Sequence, residues 1–230
     1  MSRAIVYLIA GAGPATSRRS VRYHHGCVRA TGKRRPRIAY VGAAANDSRT
    51  FGALVRTLVL GPAADVVTVA LTRKSTPTSA VRDDLAAADL VFFTGGDVER
   101  GMQLVDERGL APYVRELAAQ GKPMEGISAG AILLGRRWVR FPDGDARPEA
   151  FACLGVVPWS FDTHDEGDDW GELKTLARLL ACSGDERLVY GIPSGGCALF
   201  EGGVVRALGK PLVRLRCADP PRRMTDVAPG

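Results

Sequence analysis

Residues 123–131 read Pro-Met-Glu-Gly-Ile-Ser-Ala-Gly-Ala, which sets Ser128 midway between Gly126 and Gly130 where a strand stops and a helix starts. So sharp a turn excludes bulky side chains two positions either side of the turning residue. The glycines therefore permit the turn, and the serine hydroxyl is pushed out of the sheet. The N–H of Ala129 and the first helical turn then face the place where negative charge develops on an attacked carbonyl oxygen. A plain structural reading stands beside this one: a small-residue turn that lets a helix pack close to a strand. Both readings require a strand feeding a helix.

The surrounding chain repeats that unit. Apolar runs at residues 4–10, 37–41, 65–71 and 89–93 read as strands, and helical patterns fall at 49–60, 80–88, 98–107 and 111–120. Strands alternating with helices predict an α/β fold, a mainly parallel sheet with helices on both faces. Ligand sites in such sheets lie at the C-terminal ends of the strands. Phe93 runs there into Thr94-Gly95-Gly96-Asp97, a glycine pair that lets the backbone approach a ligand and present N–H groups. The second half predicts strands at 136–141 and 156–161, a helix at 170–182, and a hairpin over 188–206 turning at Gly202-Gly203. Gly11-Ala12-Gly13-Pro14 lacks the third glycine and the later acid of a dinucleotide fingerprint. The run at 4–10 reads as a buried strand rather than a signal sequence, and no run reaches the ~20 residues of a membrane span.

With 230 residues and 46% hydrophobic content, the chain can bury one large core. A single domain is expected over residues 1–209, with 210–230, which show no apolar periodicity, as a mobile tail. The five cysteines are odd in number and form no C-x-x-C, which points to reduced thiols in the cytoplasm. The formal charge of +6 is local. Nine Lys and Arg residues precede Asp47, the first acid, and the remainder holds 22 bases against 25 acids. Segment 18–37 is basic, poor in apolar residues, and expected to be an exposed loop. No nucleic-acid-binding motif accompanies it, so no nucleic-acid partner is expected.

A nucleophilic serine needs a base, and there are three histidines. His24 and His25 lie in the basic segment, where neighbouring cations discourage protonation. His164 follows Ser128 by 36 residues, just past a predicted strand end, among Asp162, Asp165, Glu166, Asp168, Asp169 and Glu172. Nearby carboxylates favour the imidazolium, which suits a base that takes a proton during attack. The acids could instead cap the next helix. A metal site built from Asp162, His164 and Glu166 is a poor zinc set with no calcium loop, so neither metal nor cofactor is expected.

Taken in order, Phe93-Thr94-Gly95-Gly96-Asp97, Gly126-Ile127-Ser128-Ala129-Gly130-Ala131 and Phe161-Asp162-Thr163-His164 resemble the three motifs of the S51 serine peptidases, which include peptidase E and cyanophycinase. The resemblance covers about residues 4–206. It implies a class I glutamine amidotransferase-like fold and a serine hydrolase acting on a small peptide or amide. By position it makes Ser128 the nucleophile and His164 its base. Gly95, Gly96, Asp97 and Ala129 would supply oxyanion or substrate contacts, with Asp97 where the family usually has asparagine. The orienting acid has two family locations. One corresponds to Asp143; the other falls in Gly191-Ile192-Pro193-Ser194-Gly195-Gly196, which has no acid. Cyanophycinase-like members follow the histidine with arginines, whereas this stretch is acidic. That departure points away from an acidic substrate and toward a cation near this rim. A catalytically weak or inactive binding protein of the same fold is the alternative, and an α/β-hydrolase fits less well because its acid precedes a late histidine. No membrane partner is expected, and a homodimer is the one assembly considered.

Overall fold

Alternate residues of each central strand face opposite layers, which fixes the architecture. A computed structural model describes residues 5–11, 13–61, 65–142, 147–184 and 187–230. Strands β1 (Val6–Ile9), β2 (Arg37–Val41), β3 (Asp65–Val69), β4 (Leu90–Phe93) and β5 (Met124–Ile127) run parallel. In β2 and β4, Ile38, Tyr40, Leu90 and Phe92 join one apolar layer, and Ala39, Val41, Val91 and Phe93 the other. The first layer includes Cys27 of α1 (Gly13–Ala30) and Val55 of α2 (Arg49–Val55). The second takes α3 (Thr78–Ala87), α4 (Val98–Glu107), α5 (Ala111–Ala119) and α6 (Ala129–Leu134). Helices thus cover both faces, as expected.

After α6 come β6 (Arg137–Arg140), β7 (Glu149–Ala152), β8 (Ser160–Thr163), α7 (Gly171–Ser183) and β9 (Leu188–Ile192). The hairpin of β10 (Cys197–Glu201) and β11 (Val204–Leu208) completes a seven-stranded sheet of order β11-β10-β1-β5-β4-β2-β3. A second sheet orders β12 (Val213–Arg216) and β13 (Arg222–Arg223) with the earlier strands as β13-β12-β9-β8. Its β8 and β9 are parallel, so Thr163 and Ile192 end side by side. No described helix is long and apolar enough to cross a membrane.

Three expectations are corrected. Most of segment 18–37 is not a loop: residues 13–30 form α1, which buries Ser20, His24 and Cys27 while Arg18, Arg19, Arg22 and Arg29 stay exposed. The helical period is present, but a serine, a histidine and a cysteine carry it, so an apolar count overlooks it. The stretch at 210–230 is not a mobile tail, because Leu212, Val213 and Leu215 are buried and β12 pairs antiparallel with β9. Arginines alternating with those apolar residues mark a half-buried strand. Finally, 188–206 is not one hairpin. Leu188–Ile192 belongs to the second sheet, and the hairpin closes at Gly202 and Gly203, whose φ values of 60° and 84° suit a two-residue turn.

Candidate active site

The junction between β5 and α6 is built by exclusion of side chains. A Cβ on Gly126 would lie 2.3 Å from the Gly130 carbonyl oxygen, and one on Gly130 would lie 2.1 Å from that of Phe93. Between them Ser128 adopts φ 55°, ψ −123°, a region that costs a non-glycine residue about 1–3 kcal/mol. Its N–H donates to the Ile9 carbonyl at 2.8 Å, which anchors the turn at the ends of β1 and β5. The hydroxyl points away from the sheet, and Oγ lies 2.7 Å from His164 Nε2.

His164 arrives from the second sheet. It directly follows β8, takes φ 50°, and its backbone N–H donates to the Ile192 carbonyl at 2.9 Å. The ring is exposed and Ser128 is half-buried, so the pair opens to solvent. Among the described residues no carboxylate hydrogen-bonds the far nitrogen, Nδ1. Asp143 lies outside the described residues. Glu166 turns instead to Ser194, whose backbone N–H donates to Glu166 Oε1 at 2.9 Å. Partial burial pushes the Glu166 carboxyl up, but the Ser194 hydroxyl and N–H hold it below the usual carboxylate range. The contemplated metal trio is therefore split, with His164 facing Ser128 and Glu166 facing Ser194.

The glycine pair reaches the same place. A Cβ on Gly95 would stand 3.1 Å from the Ser128 Cβ, so this backbone runs directly against the serine. Gly96 takes φ 141°, and a Cβ there would fall 2.1 Å from the Ala44 carbonyl oxygen. Asp97 caps α4: its Oδ1 accepts from the Arg100 N–H at 2.9 Å, and its own N–H donates to Ala44 at 2.8 Å. Ala129, buried, begins α6 beside the hydroxyl.

Ser128 and His164 share a cavity of about 210 Å³ with Trp138, Asp162, Asp165 and Glu172. Asp162 is only 3% exposed. Its Oδ1 accepts from the Thr163 N–H at 2.6 Å, while no donor reaches Oδ2. Burial, helped by the charges of Asp165 and Glu172, pushes this carboxyl up to about 8. Burial also raises Asp165 and Glu172, with Asp168 adding to both. The site joins a hydroxyl and an imidazole in proton-transfer contact to a small chamber lined by acids. Sequence reasoning found the acids as a charged run. It missed Trp138, on a strand 10 residues past Ser128, and Ala44, a small loop residue; neither carries a signal of its own.

Comparison with known proteins decides the relationship. The profile of Peptidase family S51 matches residues 7–208. This chain belongs to peptidase family S51. The cyanophycinases of Synechococcus elongatus and Thermosynechococcus vestitus are each 31% identical to it over 130 residues. That stretch covers 52% of this S51 chain and 39% of either cyanophycinase, so the chain spans well under two thirds of these curated relatives. The crystal structure of a peptidase from an acI-B1 Actinobacterium superposes with a TM-score of 0.65 at 15% identity, covering 99% of this chain and 97% of that one. This likeness shows the shared fold.

Proposed function

We propose that this S51 chain is a serine hydrolase cleaving a small peptide or amide through an acyl-enzyme on Ser128. The 2.7 Å contact between Ser128 Oγ and His164 Nε2 carries the reading, since it joins a nucleophile on a strained turn to the base it needs. In this mechanism Oγ bonds to the substrate carbonyl carbon while His164 Nε2 takes its proton. The resulting oxyanion meets the N–H of Ala129 and the backbone at Gly95 and Gly96. Collapse of the tetrahedral species breaks the C–N bond, and His164 returns its proton to the leaving amine. Water then attacks the acyl carbon and gives a proton to His164; the bond from that carbon to Oγ breaks as His164 passes the proton to Oγ, which frees the acid product and restores Ser128. Asp143 is the candidate to orient the imidazole, and Asp97 acts here as a helix cap behind the oxyanion backbone.

Covalent labelling by a fluorophosphonate tests this directly. Wild type should be labelled and Ser128→Ala should not; label retained in Ser128→Ala overturns the assignment. One observation favours a second reading, a weak or inactive binding protein: no described carboxylate supports His164 Nδ1. Loss of the orienting acid can cost about 10⁴ in turnover, while roughly 10³-fold catalysis over water survives on the oxyanion hole and binding. An intact fold that takes no label would select this second reading. The five free thiols support a cytoplasmic setting.

A further inference from the structure

The chamber beside Ser128 is short of donors. Asp162 and Asp165 each keep a buried carboxyl oxygen, Oδ2 in both cases, that no backbone N–H, hydroxyl or cationic side chain of the protein reaches. Glu172 adds a third carboxylate from the first turn of α7. Among the described residues no lysine or arginine lines the cavity. The nearby Lys174 is paired with Asp169, outside it. Trp138 also lines the cavity, an aromatic side chain of the kind that receives cations. Buried acceptors without donors are costly, and the group that satisfies them best brings several N–H donors with positive charge.

Resting on the hydrolase reading above, we infer that this cavity is a cation subsite, seating an ammonium or guanidinium group of the substrate on Asp162, Asp165 and Glu172 beside the bond attacked by Ser128. A volume near 210 Å³ holds one such group and little more. The cation can be the substrate's α-ammonium or a basic side chain, since both supply the same donors. An acidic side chain would enter with its charge facing Asp165 and Glu172 and would bring no donor to Asp162, and the site excludes it by repulsion and by leaving the acceptors unmet.

Binding to Ser128→Ala, which cannot turn substrate over, tests the subsite apart from the chemistry. Calorimetry at neutral pH would compare glycinamide, which carries only an α-ammonium, with N-acetyl-argininamide, which carries only a side-chain cation. The anionic control is the amide of N-acetylaspartate with its side-chain carboxylate free. At least one cationic amide should bind roughly tenfold or more tighter than the anionic one, and the tighter of the two identifies the source of the cation. Glu172 is exposed, so Glu172→Lys in the same background should fold and should weaken cation binding by roughly tenfold or more. Equal or tighter binding of the anionic amide, an unchanged preference in Glu172→Lys, or calcium binding in place of the amides overturns the inference. Cation binding in a protein whose Ser128 takes no fluorophosphonate removes the hydrolase reading and leaves the subsite standing. Labelling without cation preference does the reverse.

Discussion

Two histidines reach β5 and the turn that follows it, at Glu125 and Ser128, and they differ in what their partners leave open. His24, from α1, is 2% exposed, and its Nδ1 lies 2.8 Å from Glu125 Oε2, itself wholly buried. Burial disfavours the His24 imidazolium, but the charge of Glu125 and its hydrogen bond outweigh that and raise the pKa. This corrects the expectation that neighbouring cations discourage protonation, because the ring turns inward from the arginines to a carboxylate. His164 is exposed, and its partner is a hydroxyl facing a cavity. A charged pair closed on every side ties a helix to a sheet. The same imidazole opposite an open hydroxyl has somewhere to send a proton.

The comparison breaks most visibly at the open site. Ser128→Ala or His164→Ala should lower kcat/KM on a cleaved amide by about 10⁴-fold or more while leaving the denaturation midpoint close to wild type. A smaller loss would transfer the chemistry elsewhere. At the closed site the signs reverse. His24→Leu strands Glu125 and should cost about 3–5 kcal/mol in urea unfolding, whereas replacing both residues with leucine should recover much of that loss. A His24→Leu protein of normal stability and low activity would exchange the two roles.

Acidity sharpens the contrast. A carboxyl whose folded pKa is raised binds more protons folded than unfolded, so its contribution to stability falls as pH rises between the two values. For Asp162 that window runs from about 4 in the unfolded chain to about 8 in the fold. Relative to Asp162→Asn, wild type should lose on the order of 1 kcal/mol per pH unit across it, read from unfolding at several pH values. His24, also raised, loses its contribution only as pH climbs past about 6.5. Asp165 and Glu172 are raised too but are present in both proteins, so below pH 6 the difference from Asp162→Asn reads the acid apart from His24. The smallest effect is expected at Asp97→Ala. Loss of the α4 cap should cost about 1 kcal/mol of stability with kcat/KM nearly unchanged, and a large fall in kcat/KM would return Asp97 to the substrate.

Much of the site was legible because local sterics wrote it. Gly126 and Gly130 sit where any side chain would strike backbone, so their spacing about Ser128 announces the turn before any fold is known. The parallel strands were legible for a related reason: covered on both faces, they must be nearly continuous apolar runs. Helix α1 was hidden because its buried face consists of Ser20, His24 and Cys27, whose value depends on what they meet. Strand β12 was hidden by arginines that lie on its outer side.

By itself the amino-acid order determined the elbow, the alternation of strands and helices, and a histidine amid acids 36 residues downstream. Only the tertiary structure decided that β8 runs beside β9 and delivers His164 to Ser128, that α1 folds His24 inward onto Glu125, and that Asp162 is buried with one oxygen unmet. The division has one physical cause. Steric limits on a turn act between neighbours in the chain, whereas a hydrogen bond or a desolvated charge depends on groups that only packing brings together.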